Sequence, residues 1–157
     1  MFQFRVRGVV ALLAFAAVVM LAPCARADDT PAKKEAEKLQ GSWRLVKQQE
    51  DGKELSAAEI KGTILVVNQR SVSFLDKGKL ALAMRFSITD VTPDVVRAEF
   101  VWLSAGENKG KASLGIWKIE GDTLRTAIGY IGEPRPTEFP SKEGSKWTYS
   151  VWKRIKD

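Results

Sequence analysis

The chain predicts an all-β domain, an antiparallel meander of about eight short strands that closes into a barrel or sandwich. Three observations carry this. Leu80, Leu82, Met84, Phe86 and Ile88 alternate with Ala81, Ala83, Arg85 and Ser87, the period of two that turns one face of a strand into a core. Val96, Ala98, Phe100 and Trp102 repeat the pattern against Arg97 and Glu99. Turn signals at Asp51-Gly52, Asp76-Lys77-Gly78 and Gly121-Asp122 divide such runs at short intervals, as successive hairpins require.

The elements follow in chain order. Arg5 and Arg7, an apolar run over 9–21, then Pro23 and Ala25-Arg26-Ala27 give the order basic, apolar, small. That order reads as an export signal over 1–27, cut near Ala27, which leaves one domain over 28–157 in a periplasmic or extracellular setting. The run is shorter than the ~20 residues of a bilayer-spanning helix, so no membrane span is expected. Leu21-Ala22-Pro23-Cys24 resembles a bacterial lipobox. Pro23 departs from that motif, so a lipid anchor at Cys24 is the lesser alternative.

Thr30 can cap a short helix over 31–39, with Pro31 in its first turn. Strands are expected over 42–49, 63–68, 71–75, 80–88, 96–102, 114–119, 123–130 and 146–155. Ser56 and Glu59 have capping-box spacing before Gly62, which predicts one or two helical turns. Residues 104–113 and 131–145 read as loops, the second stiffened by Pro134, Pro136 and Pro140.

Composition excludes several chemistries. The formal charge is +6, but the export segment holds three arginines and no acid, so its removal lowers the charge to +3. A clustered basic face for nucleic acid is therefore not expected. Lys33-Lys34 and the pair Lys109 and Lys111 read as surface charges mixed with acids. The one cysteine, Cys24, lies in the export segment, and the chain has no histidine. This removes His-based acid–base catalysis, His-dependent nucleophiles, and zinc sites built on His or Cys. No metal and no cofactor is expected.

Gly41-Ser42-Trp43 opens the first strand and Arg154 lies in the last. In this the chain resembles the lipocalin-like superfamily of up-and-down barrels. The resemblance implies a structural signature of Gly41, Trp43 and Arg154, with the arginine packed across the indole. Residues 115–124, Gly-Ile-Trp-Lys-Ile-Glu-Gly-Asp-Thr-Leu, are similar to a motif of an uncharacterised lipocalin-like domain family abundant in exported proteins of planctomycete bacteria. Arg135-Pro136-Thr137-Glu138-Phe139, Trp152-Lys153-Arg154 and Leu39-Gln40-Gly41-Ser42-Trp43 are similar to further motifs of it. Together they span residues 39–154. The resemblance implies an antiparallel lipocalin-like barrel of about eight strands behind a short helix; the family has no established activity, so the resemblance supplies no mechanism. An aspartate usual in the family is replaced near Arg97, and a cysteine common in it by Ala127.

Five tryptophans, Trp43, Trp102, Trp117, Trp147 and Trp152, supply either core or the lining of an apolar cavity. The candidate ligand-binding residues are Arg85, Trp102, Trp117, Arg135 and Glu138, facing a small apolar or amphipathic molecule. Arg135 and Glu138 either pair with each other or face that ligand. The alternative is a filled barrel that acts as an envelope or protein-interaction module. A hydrolase built on Glu99, Glu120, Asp122 and Glu138 ranks last, since their spacing singles out no pair. Gly106-Glu107-Asn108-Lys109-Gly110-Lys111 lacks the spacing and the following Ser or Thr of a phosphate loop, and reads as a hairpin loop.

Overall fold

Helix α1 (Pro31–Leu39) starts where the sequence predicts, with the Thr30 hydroxyl accepting from the Lys33 N–H at 3.3 Å. The computed structural model describes residues 30–156. The expected export signal over 1–27, with Cys24, lies outside the described residues. After α1 come β1 (Gly41–Glu50), β2 (Lys53–Glu54), α2 (Ala57–Ile60), β3 (Thr63–Asn68) and β4 (Ser71–Asp76). Then follow β5 (Lys79–Val91), β6 (Val96–Trp102), β7 (Ala112–Glu120), β8 (Thr123–Gly129) and β9 (Trp147–Arg154). From β3 to β9 each strand pairs antiparallel with the next, β1 pairs with β3, and β1 also pairs with β9. The result is a closed eight-strand up-and-down barrel behind a short helix. The two-residue β2 is an extension that folds back on the end of β1; the sequence did not predict it. Among the described residues no helix is long and apolar enough to cross a membrane.

Closure gives the barrel two unlike ends. α1 and the β3–β4, β5–β6 and β7–β8 turns gather at one; α2 and the β4–β5, β6–β7 and β8–β9 connections gather at the other. Arg154 and Trp43 seal the first end. The guanidinium lies 3.9 Å from the Trp43 ring centroid. It donates to the carbonyls of Gln40 at 2.7 Å and Lys38 at 2.6 Å. The Trp43 indole N–H donates to the Leu39 carbonyl at 2.9 Å. The Gln40 side-chain amide reaches the Ala36 carbonyl at 2.7 Å, and its backbone N–H reaches that of Glu37 at 3.2 Å. Five consecutive carbonyls at the end of α1 are thus satisfied, in a helix terminus that would otherwise leave them bare. Gly41 makes this approach feasible. Its φ is +106°, and a Cβ there would sit 3.4 Å from the guanidinium. The expected signature of Gly41, Trp43 and Arg154 is the plug of the closed end.

Above the plug the barrel is dense. Trp117 meets Phe86 edge-on at 5.5 Å and Phe100 at 6.2 Å. Gly115 lets these rings close up, since a Cβ there would come within 2.8 Å of Phe100 and 3.0 Å of the Ala127 carbonyl. Each large apolar side chain buried here contributes ~1.5–3 kcal/mol.

The alternation read across 80–88 holds only in part. Leu82, Met84, Phe86 and Ile88 face inward, but Leu80 is 61% exposed. A β-bulge explains the difference. Phe74 pairs with Leu82 but Leu75 with Leu80, so Ala81 is the extra residue and the faces exchange. A second bulge between Ile88 and Asp90 reverses the faces again, and Val91 pairs with inward Val96. A third, between Leu45 and Lys47, sets Val46 on the exterior and turns Gln48 inward.

The connection over 131–146 runs along the outside of the sheet. Arg135 anchors it, donating to the backbone carbonyls of Ala98 and, at 2.7 Å, Gly115. Pro136 is buried, and Gly129 leaves room for the Pro134 carbonyl, 3.1 Å from where a Cβ would stand. Phe139 packs on Tyr149 at 6.4 Å, with the Arg125 guanidinium 5.1 Å from its ring centroid. Phe139 therefore folds onto the outer face of the sheet, not onto the barrel core.

Candidate functional site

The half of the barrel away from α1 is open. It holds a cavity of about 420 Å³, while beneath Trp152 only a void of about 20 Å³ remains. One wall is apolar: Leu45, Ile60, Phe74, Leu82, Met84 and Trp102. The opposite wall carries hydroxyls. Thr126 and Ser150 are cross-strand partners on β8 and β9, Thr148 pairs with Ile128 nearer the mouth, and Ser113 comes from β7. Gln48, Leu55, Glu59, Thr63, Ile128, Gly129, Tyr130 and Trp152 complete the lining.

Two tryptophans fix two of those hydroxyls. The Trp102 indole N–H donates to Ser113 Oγ and that of Trp152 to Thr126 Oγ1, each at 3.2 Å. Ser113, Thr126 and Ser150 are buried, a placement that is costly for polar groups without partners.

Among the described residues Glu59 is the one lining residue that carries a formal charge. It belongs to the capping box of α2, which the sequence predicts. Its carboxylate accepts from the Ser56 N–H and the Ser56 hydroxyl, both at 2.7 Å. The Ser56 hydroxyl bond, then its backbone N–H, holds the Glu59 carboxyl below the ordinary range; Lys53 adds to this. On the far rim, burial raises the Tyr130 phenol above its ordinary value, and the charges of Glu50 and Asp51 raise it further. A hydrogen bond with Thr148 acts in the opposite direction.

The structure brings together few of the residues singled out from the sequence. Trp102 lines the cavity. Trp117 is 1% exposed in the dense half, and its indole N–H finds no partner among the described residues. Arg85 stands exposed on the outer face of β5, opposite Ser71. Arg135 is outside the barrel, bound to backbone carbonyls, and burial followed by the nearby Arg97 lowers its pKa. Glu138 is exposed and pairs with Lys142 at 2.6 Å, not with Arg135. The Arg135–Phe139 motif therefore straps a loop to the sheet, and neither Arg135 nor Glu138 lines the cavity.

The four carboxylates do not converge. Glu120 pairs with Arg125 and Lys118, Asp122 with Lys156, and Glu138 with Lys142, while Glu99 sits on β6 opposite Leu114. None of the four lines the cavity. Among the described residues no three Asp, Glu, His or Cys side chains group as a metal site.

Sequence reasoning missed Ser113, Thr126, Thr148 and Ser150, and offered Trp152 only as one of five tryptophans for core or cavity lining. A signal was available. Thr148, Ser150 and Trp152 share one face of β9, and Leu124, Thr126 and Ile128 one face of β8. Small hydroxylated residues at inward positions beside a tryptophan mark a place that the core does not fill.

No family model, no curated protein and no solved structure matches this chain.

Proposed function

We propose that this domain is an exported binding protein that holds a small apolar or amphipathic molecule in the open half of its barrel. The observation that carries the proposal is the cavity of about 420 Å³ with an apolar wall facing a hydroxyl-bearing one. Its size falls in the ~300–1,000 Å³ range of small-molecule sites, and such sites combine apolar lining with a few placed polar groups. The lipocalin-like resemblance of the sequence supports the same reading. A space of this size favours a binder over a filled barrel that serves only as an interaction module.

Trp102 and Trp152 line the cavity and make the test direct. Titration with medium-chain alcohols, lipids and hydrophobic dyes should give a saturable change in tryptophan emission. A bound ligand should also raise the melting temperature in a concentration-dependent way. Trp102→Phe should remove a large part of the emission change. The absence of a saturable response to every class of probe refutes the proposal.

A further inference from the structure

We infer that the cavity selects a neutral amphiphile whose head group accepts hydrogen bonds, a medium-chain alcohol or ester, and rejects the carboxylate of the same chain length. This rests on the binding reading above and sharpens it to a ligand class.

The hydroxyls of the wall each have a proton to donate. The Trp102 and Trp152 indoles already occupy a lone pair on Ser113 and Thr126. The protons of those two hydroxyls are left to point at an acceptor. Thr126 lines both the cavity and the small void beneath it, and Ser150 faces it across the β8–β9 pair. The Thr126 and Ser150 hydroxyls therefore lie at the floor, and a head group that uses them must enter first and be buried.

Burial decides which head groups qualify. Among the described residues no lysine or arginine lines the cavity. A carboxylate at the floor would lose its water and meet no counter-charge, which costs far more than burying a neutral oxygen. The mouth adds to the discrimination. Glu59 lies on the lining, and Glu50 and Asp51 act on Tyr130 across the opening. Glu50, Asp51, Glu59 and Lys53 are all exposed, so solvent and salt screen this contribution, and burial of the head group carries most of the discrimination. An alcohol or ester oxygen meets none of these penalties, and its chain lies along Phe74, Leu82 and Met84.

The test is displacement of a hydrophobic dye from the mature protein at neutral pH by decane, decanol, methyl decanoate and decanoate. Decanol and methyl decanoate should compete at concentrations at least about tenfold below decanoate, a ratio that corresponds to one decade in Kd. Ser150→Ala should weaken decanol about three- to tenfold, the range of one lost hydrogen bond, and leave decane unchanged. Ser150→Cys, which keeps the side-chain size and replaces the hydroxyl with a weak donor, gives the same comparison if Ser150→Ala does not fold, with an unchanged melting temperature as the check on folding. Equal competition by decanol and decanoate overturns the inference, because the head group would then lie in solvent, and leaves the binding reading standing. Equal weakening of decanol and decane by both variants also overturns it. Failure of all four probes and of the dye removes the binding reading itself.

Discussion

Arg154→Ala removes three interactions from the closed end at once. The guanidinium stacks 3.9 Å from the centroid of Trp43, a side chain with no exposure. A cation over a buried ring contributes ~1–2 kcal/mol. The bond to the Gln40 carbonyl is part-buried and that to Lys38 exposed. A charge-assisted bond contributes ~1.5 kcal/mol at the low end of its range, and solvent reduces the exposed one to about a third of that. The loss is therefore about 3 kcal/mol, which lowers the melting temperature of a domain this size by roughly 12 °C. Urea unfolding followed by circular dichroism and tryptophan emission measures it. Arg154→Lys should recover less than half, because an ammonium lacks the planar fork that reaches two carbonyls and stacks. Arg154→Met keeps apolar cover on Trp43 and should remain well below the parent. A loss under ~1 kcal/mol for Arg154→Ala, or a Met variant as stable as the parent, refutes the plug.

Gly115→Ala places a methyl 2.8 Å from Phe100 and 3.0 Å from the Ala127 carbonyl; overpacking of this kind costs ~1–3 kcal/mol, read by the urea midpoint. Ser56→Ala removes the first cause of the low Glu59 pKa, so the Glu59 carboxyl should titrate higher by side-chain NMR. The sign for stability follows from the lowered folded value: the capping box supports α2 at neutral pH and loses that support as pH falls through the Glu59 pKa. Amide protection factors in α2, corrected for the intrinsic exchange rate, should therefore fall in acid in the parent and fall less in Ser56→Ala, which keeps the backbone N–H bond to Glu59. Intact mass of the mature protein should give a chain that begins at Asp28; a lipidated Cys24 terminus would refute cleavage near Ala27.

What the sequence made legible was decided locally. α1, the capping box of α2, and the strands 63–68 and 96–102 match their predicted bounds, because caps, turn residues and two-residue alternation act within a few positions. Leu80 escaped because a bulge of one residue exchanges faces, and alternation alone does not mark where Ala81 drops out of register. The site was less legible. Arg135 reads as a candidate from its proline-stiffened loop, but its partners, Ala98 and Gly115, are 37 and 20 positions away. Trp102 and Trp117 have the same local signature, an indole at an inward position of a strand. Only closure of the barrel tells which stands in the open half and which in the filled one.

That division is nonetheless encoded in side-chain size along single strands. On β9 the inward positions run Thr148, Ser150, Trp152, Arg154 from mouth to plug; on β8, read in reverse, they run Ile128, Thr126, Leu124. Small hydroxylated groups occupy the middle, and bulk begins at Trp152 and Leu124, both nearly inaccessible. A core selected only for stability would place aliphatic residues at Thr126 and Ser150, since each buried methylene contributes ~0.8 kcal/mol and no hydroxyl needs a partner. The two indole donors, Trp102 and Trp152, hold Ser113 and Thr126 in place and so fix the wall of the cavity, as the plug fixes the closed end of the barrel. Thr126→Val sets these readings apart. As a filled-core position it should gain stability or stay neutral. As part of a built wall it should strand the Trp152 indole N–H, cost about 1–3 kcal/mol, and loosen the emission of Trp152.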